Sequence, residues 1–201
     1  MKKSRVKTIK NNIQPLTPIP QGSKAFKHDC DAGKWIDQQM QEKGHVVDHT
    51  GGIDLPEYGV DNKSRKQGSN APHTVGSMTI DNIIKMSNWH ETELYKKLQN
   101  INHIVWDPVF MEIKSVELID FDLPEIQQEL SRAYADLQQQ LVTNHNNGYR
   151  PKNITSQCKT MVFDGYGHEN SYRIRIHDRA MKKFHTLSAT RDSRKAFFEE
   201  S

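Results

Sequence analysis

Five apolar residues, Ile126, Leu130, Tyr134, Leu137 and Leu141, recur at spacings of four, four, three and four. That is the period of a helix with one buried face. Pro124 ahead of it, and Gly148 and Pro151 behind it, bound a predicted helix over 125–144. A single apolar stripe needs a surface to cover, and the rest of the chain supplies short strands. Residues 103–106 read as a buried strand, and 111–121 alternate through Met111, Ile113, Val116 and Leu118 with an irregularity near Ser115. Residues 161–163 pair with 171–177 across a turn at Gly165–Gly167. Val46-Val47 and 53–63 make a strand–loop–strand region around Gly51-Gly52, and 75–84 read as a strand passing into a turn. Shorter helices fall over 31–43, stopped by Gly44, and over 91–100, with a helical turn at 180–185. The pattern predicts a mixed α/β chain without internal repeats, a central β-sheet flanked by helices.

The 201 residues suit one domain, expected over 24–201, preceded by a basic, proline-rich arm over 1–23 in which Pro15, Pro18, Pro20 and Gly22 forbid a helix. No apolar run approaches the ~20 residues that span a bilayer. The basic MKKSRVKTIK start is followed by polar residues, so no signal peptide is expected. Cys30 and Cys158 lie far apart and form no CxxC pair, which argues against a disulfide framework and a four-thiolate zinc site. Free thiols in a reducing cytosol, hence a cytoplasmic protein, are the expectation. The net charge of +3 conceals an asymmetry. Residues 1–10 carry +5 and residues 173–195 carry +6, which leaves −8 for the remainder. Basic ends around an acidic middle suit a chain that grips a polyanion and holds cations near its centre. A basic tail plus one solvated helix is the plain alternative.

The segment Gly52-Ile53-Asp54-Leu55-Pro56-Glu57-Tyr58-Gly59-Val60-Asp61-Asn62-Lys63 carries the chemistry. A strand's period of two puts Asp61 and Lys63 side by side on one face, and the turn at Pro56 and Gly59 can fold Asp54 back against them. Two carboxylates suit a hard cation, and a neighbouring ammonium suits an anionic nucleophile or transition state, as phosphodiester hydrolysis requires. A solvated surface turn is the ordinary alternative. Arg65 and Lys66, directly after this strand, are placed for phosphates. Arg173 and Arg175 alternate with Ile174 and Ile176, so both guanidiniums leave one strand face about 7 Å apart, the spacing of successive phosphates or of a phosphate and a base edge. His45 and His49 invite a zinc reading, but on a strand they would lie about 13 Å apart, so surface or DNA-facing roles are expected. His103 reads as a core-edge residue, and His168-Glu169 as neighbours of a DNA groove.

The run D-L-P-E-Y-G-V-D-N-K resembles the D-F-x-E-L-G-V-E-L-K core of the MutH family of GATC-cutting nicking and type II restriction endonucleases, a branch of the PD-(D/E)XK nucleases. Trp89-His90-Glu91-Thr92-Glu93-Leu94-Tyr95-Lys96-Lys97-Leu98, followed by Ile104-Val105-Trp106, is similar to the family's W-E-x-S helix and the strand after it. Ser171-Tyr172-Arg173-Ile174-Arg175-Ile176-His177 resembles its Y-L-Q-I-R-P-K strand. The likeness spans about 33–183, closest at 52–66. It implies a restriction-endonuclease-like fold and a Mg2+-dependent (or Mn2+-dependent) endonuclease acting on double-stranded DNA, from a prokaryote or phage. Asp54, Asp61 and the Asn62 carbonyl would hold the metal, with Lys63 catalytic, Lys97 an additional catalytic lysine, and Arg175 and His177 at the DNA. A further acid from the preceding helix is implied, Asp37 being favoured over Glu42. Two departures stand out: Asp61 replaces the family's glutamate, and Asn62 replaces an apolar residue. The family's final aromatic-basic segment would fall at 194–198. A restriction enzyme implies a monomer or homodimer; a nickase implies accessory repair proteins. The alternative is a DNA-binding protein with a decayed site, while an RNA-processing nuclease is disfavoured because no aromatic platform for single strands is evident.

Overall fold

The computed structural model describes residues 29–42, 44–48, 50, 52–107, 109, 112–165 and 170–188. The expected arm at 1–23, the sites at His49, His168 and Glu169, and the 194–198 segment lie outside the described residues. The chain is mixed α/β, with two sheets and helices beside them, where one central sheet was expected. It divides into two compact units. The first comprises the described residues up to Ser69 together with Gln99–Asp120, and the second comprises Asn70–Leu98 with Phe121–Ser188.

The first unit contains helix α1 (Asp29–Glu42) and strands β1 (Asp61–Lys66), β3 (Asn100–Asp107) and β4 (Glu112–Asp120). Its sheet has the order β1-β3-β4, with β1 parallel to β3 and β3 antiparallel to β4. The irregularity expected near Ser115 is a bulge: Val105 pairs with Ser115, and the next residue, Trp106, pairs with Ile113. Ile36, Met40, Leu55, Val60, Ile104, Val116 and Leu118 form this unit's core. Residues 45–48 are irregular rather than a strand at Val46-Val47. Their backbone ties instead to the turn ahead, through the Asp48 N–H on the Asp54 carbonyl at 3.0 Å.

The second unit contains β2 (His73–Thr79), α2 (Ile80–Lys85), a 3-10 turn (Trp89–Glu91), α3 (Glu93–Lys97), α4 (Pro124–Asn146), β5 (Asn153–Thr155), β6 (Met161–Gly165), β7 (Ser171–Ile176) and α5 (Asp178–Ser188). Its sheet is antiparallel throughout, in the order β2-β7-β6-β5. The apolar stripe of α4 is buried as its period requires: Ile126, Leu130, Tyr134, Leu137 and Leu141 are each at most 1% exposed. Rings of Trp89, Tyr134, Phe163 and Tyr172 stack edgewise or tilted in sequence beside it. The turn expected after β2 is the helix α2, because the Thr79 hydroxyl caps it by accepting from the Asn82 N–H. Thr92 likewise accepts from the Tyr95 N–H and divides the helix expected over 91–100 into the 3-10 turn and α3. No helix among the described residues is long and apolar enough to cross a membrane.

Candidate functional site

The site is built on the tight turn between Leu55 and Val60. Leu55 and Val60 exchange backbone hydrogen bonds of 2.9 and 3.2 Å as an isolated antiparallel bridge. Gly59 closes the turn with φ at +65°, a conformation costly for a side chain with a Cβ. Leu55 and Val60 are fully buried, so the turn is anchored in the first unit's core. One residue outward from that pair on each arm lie Asp54 and Asp61. A turn of this length therefore brings two carboxylates seven residues apart to one end of β1.

Asn62 is the centre of the arrangement. Its backbone N–H donates to Asp54 Oδ2 at 2.7 Å, and its side-chain amide donates to Asp37 Oδ1 at 3.0 Å and to Met40 Sδ at 3.6 Å. Asp37 reaches it because Ile36 and Met40, both fully buried, pin one face of α1 to the core and leave Asp37 at that face's edge. Of the two acids considered on this helix, Asp37 joins the cluster; the Glu42 side chain lies outside the described residues. On the other face of β1, as the period of two predicts, Lys63 Nζ forms an ion pair with Asp61 and also donates to the Asn62 carbonyl at 3.3 Å. Asp61 is 2% exposed.

The electrostatics follow from this crowding. Burial pushes the Asp54 carboxyl up from 3.8 to about 7, and the negative charges of Asp61 and Asp37 push the same way, against the Asn62 N–H and the Lys63 ammonium. A half-buried carboxyl whose proton is held by burial and by two neighbouring carboxylates is a candidate functional group. The donor set is entirely oxygen, which suits a hard divalent cation such as Mg2+. The residues present fit such an ion.

Asn102 is a member of the site that sequence reasoning missed. It pairs with Asn62 in the parallel β1–β3 register, and its amide donates to Asn62 Oδ1 at 3.0 Å. It is fully buried, and its Oδ1 has no hydrogen-bond partner among the described residues. Asn62 stands where the resemblance implies an apolar side chain, and Asn102 supplies the polar partner that this exchange requires. The signal was an asparagine next to His103 inside the otherwise apolar run Ile101–Trp106.

The remaining expected residues are placed as follows. Arg65 and Lys66 continue β1; Arg65 donates to the Ser69 carbonyl, and Lys66 Nζ lies 5.5 Å from the centre of the Trp106 ring. Lys97 ends α3 in the second unit. Arg173 and Arg175 do leave one face of β7 while Ile174 and Ile176 are fully buried. Both guanidiniums converge on Asp164 Oδ2, at 2.5 and 3.0 Å, and Arg175 also donates to the Pro72 carbonyl at 2.9 and 3.2 Å. Part of their donor capacity is thus used inside the fold. His177 follows β7 and donates its backbone N–H to the Thr160 carbonyl at 2.9 Å. His45 faces Tyr58, with Nδ1 3.1 Å from the phenol oxygen. His103 is buried. Comparison of the chain with protein-family models and with curated proteins gives no match.

Proposed function

We propose that the chain is a Mg2+-dependent endonuclease of the restriction-endonuclease-like class that hydrolyses phosphodiesters in double-stranded DNA. The observation that carries this reading is the convergence of Asp37, Asp54 and Asp61 on Asn62 and Lys63, with the Asp54 carboxyl raised to about 7. Asp54 and Asp61 would hold the ion, with the Asn62 carbonyl beside them and Asp37 closing the set. When bound, the ion supplies a water of lowered pKa and neutralises charge building on phosphate oxygens. Lys63 orients the attacking water and stabilises the anionic transition state, a role suited to an ammonium already held at the carboxylates. The Asn62–Asn102 pair holds β1 in place, so that the acids meet the substrate pre-oriented. Lys97 is assigned to the phosphate region on the resemblance, and Arg65, Lys66, Arg173, Arg175 and His177 to the DNA.

The same parts serve a restriction enzyme or a repair nickase. A DNA-binding protein with a decayed site is the weaker reading, since all three charged positions of the motif are present and two of them are in contact. Digestion of methylated and unmethylated supercoiled plasmid, followed by end sequencing, tests the proposal. Linear or nicked product should form with Mg2+ or Mn2+ and vanish in EDTA, while Ca2+ should support binding with little hydrolysis. Undiminished cleavage in EDTA would remove the metal from the reaction.

A further inference from the structure

The second unit contains an open groove of about 840 Å3, half of whose lining residues are charged. Its acids are already matched. Glu129 accepts from Lys183 Nζ and, at 2.7 Å, from the Thr160 hydroxyl; Asp178 holds His73 Nε2 at 3.1 Å and Lys182 Nζ at 2.7 Å. Two of its cations are not. Lys159 and Arg179 line the groove, are exposed, and have no acidic partner among the described residues. A third donor joins them: His177 Nε2 is buried and has no hydrogen-bond partner among the described residues.

These groups are held rather than loosely displayed. Lys159 is the one non-glycine with positive φ among the described residues, at 53°, a conformation a side chain takes only when its surroundings impose it. They do so through Ser156, whose carbonyl accepts the Lys159 N–H at 2.8 Å and whose hydroxyl accepts the Thr160 and Met161 N–H groups at 3.1 Å each. The Thr160 carbonyl then takes the His177 N–H, so Lys159 and His177 are fixed to one lip. We propose that this groove binds a phosphate group of a nucleic-acid backbone, with Lys159 and Arg179 supplying charge and His177 Nε2 a directed hydrogen bond. The inference rests on the nucleic-acid reading of the chain and extends the second unit's assigned DNA contacts, His177 among them, to Lys159 and Arg179, outside the carboxylate cluster. Burial, and after it the positive charges of Arg175 and Lys159, lower the His177 pKa, so Lys159 lies close enough to His177 for its charge to be felt there.

Two measurements test it, neither of which requires cleavage. Fluorescence anisotropy of a labelled duplex in EDTA, at several salt concentrations, compares wild type with Lys159→Gln/Arg179→Gln and with Lys152→Gln, an exposed lysine outside the groove. The double variant should bind roughly tenfold more weakly per cation removed at about 0.1 M salt and lower the salt slope by about 2, while Lys152→Gln changes little. In parallel, inorganic phosphate titrated into wild type should move the His177 ring resonance, and the double variant should abolish that response. Wild-type affinity and slope in the double variant, with an unmoved His177 resonance, would overturn the proposal. A phosphate response without any effect on duplex binding overturns the nucleic-acid source and assigns the groove to a free phosphate or phosphomonoester. Loss of duplex affinity in a protein that never cuts DNA supports the groove and removes only the catalytic reading. Thermal melting of both variants verifies that each is folded.

Discussion

Two regions solve opposite charge problems. At the head of β1 in the first unit, three carboxylates gather around Asn62, and Lys63 pairs with Asp61. On β6 and β7 in the second unit the ratio is inverted: one carboxylate, Asp164, is shared by Arg173 and Arg175. In the second arrangement the charges meet within the fold. Each guanidinium has found an acceptor within the fold, and Arg175 has a second in the Pro72 carbonyl. The first is open, because burial and neighbouring acids leave Asp54 half-protonated near neutral pH. Carboxylates crowded in a half-buried place resist ionising together unless a cation arrives to balance them. The acidic cluster therefore reads as a site, whereas the arginine pair reads first as structure and only then as a DNA contact.

Catalysis offers the largest test of this contrast. Asp54→Ala and Lys63→Ala should each reduce plasmid cleavage by ~10²-fold or more, on the scale of losing one electrostatic stabiliser. Circular dichroism should show both folded. Wild-type cleavage in Asp54→Ala would take Asp54 out of the site.

Stability separates the two regions in the other direction. Asp164→Ala leaves two partly buried guanidiniums without their shared acceptor and should destabilise by about 1–3 kcal/mol, read by urea unfolding. Asp54→Asn should instead raise the Tm of the metal-free protein at pH 8. The sign follows from linkage. A carboxyl raised from 3.8 to about 7 on folding binds its proton more tightly in the folded state, so stability is lost as pH climbs through that window. Metal-free wild type should therefore melt progressively lower from pH 4 to pH 7, with a shallower decline in Asp54→Asn. Identical profiles would show that the cluster carries no surplus charge.

Much of this was legible in the chain. The α4 stripe emerged from spacing alone, as did the shared face of Asp61 and Lys63, because periods of 3.6 and 2 are properties of single elements. The bulge near Ser115 showed as a break in alternation. Pairings between distant segments left no such trace. That β2 lies against β7, some hundred residues later, and so builds a second sheet, depends on partners rather than on period. Asp164 came to hold two arginines only through the β6–β7 register that sets it opposite Arg173. The same applies to Asn102, whose role appears only once β1 and β3 are parallel with Asn62 beside it. Its effect should be the smallest of the series. Asn102→Ala removes one buried hydrogen bond to Asn62 and should cost about 1 kcal/mol, with a modest fall in cleavage rate and unchanged DNA affinity.

Calorimetric titration of Mn2+ and Mg2+ into DNA-free protein at pH 8, for wild type and Asp54→Asn, addresses the acidic cluster without intermediaries. Wild type should bind a divalent cation with release of protons, and the proton count should grow as the pH is lowered toward 7, where more Asp54 is protonated before binding. Asp54→Asn should bind at least tenfold more weakly and release none from this position. A wild-type protein indifferent to both cations, or a variant that binds them equally well, would contradict the assignment of Asp37, Asp54 and Asp61 as a metal centre.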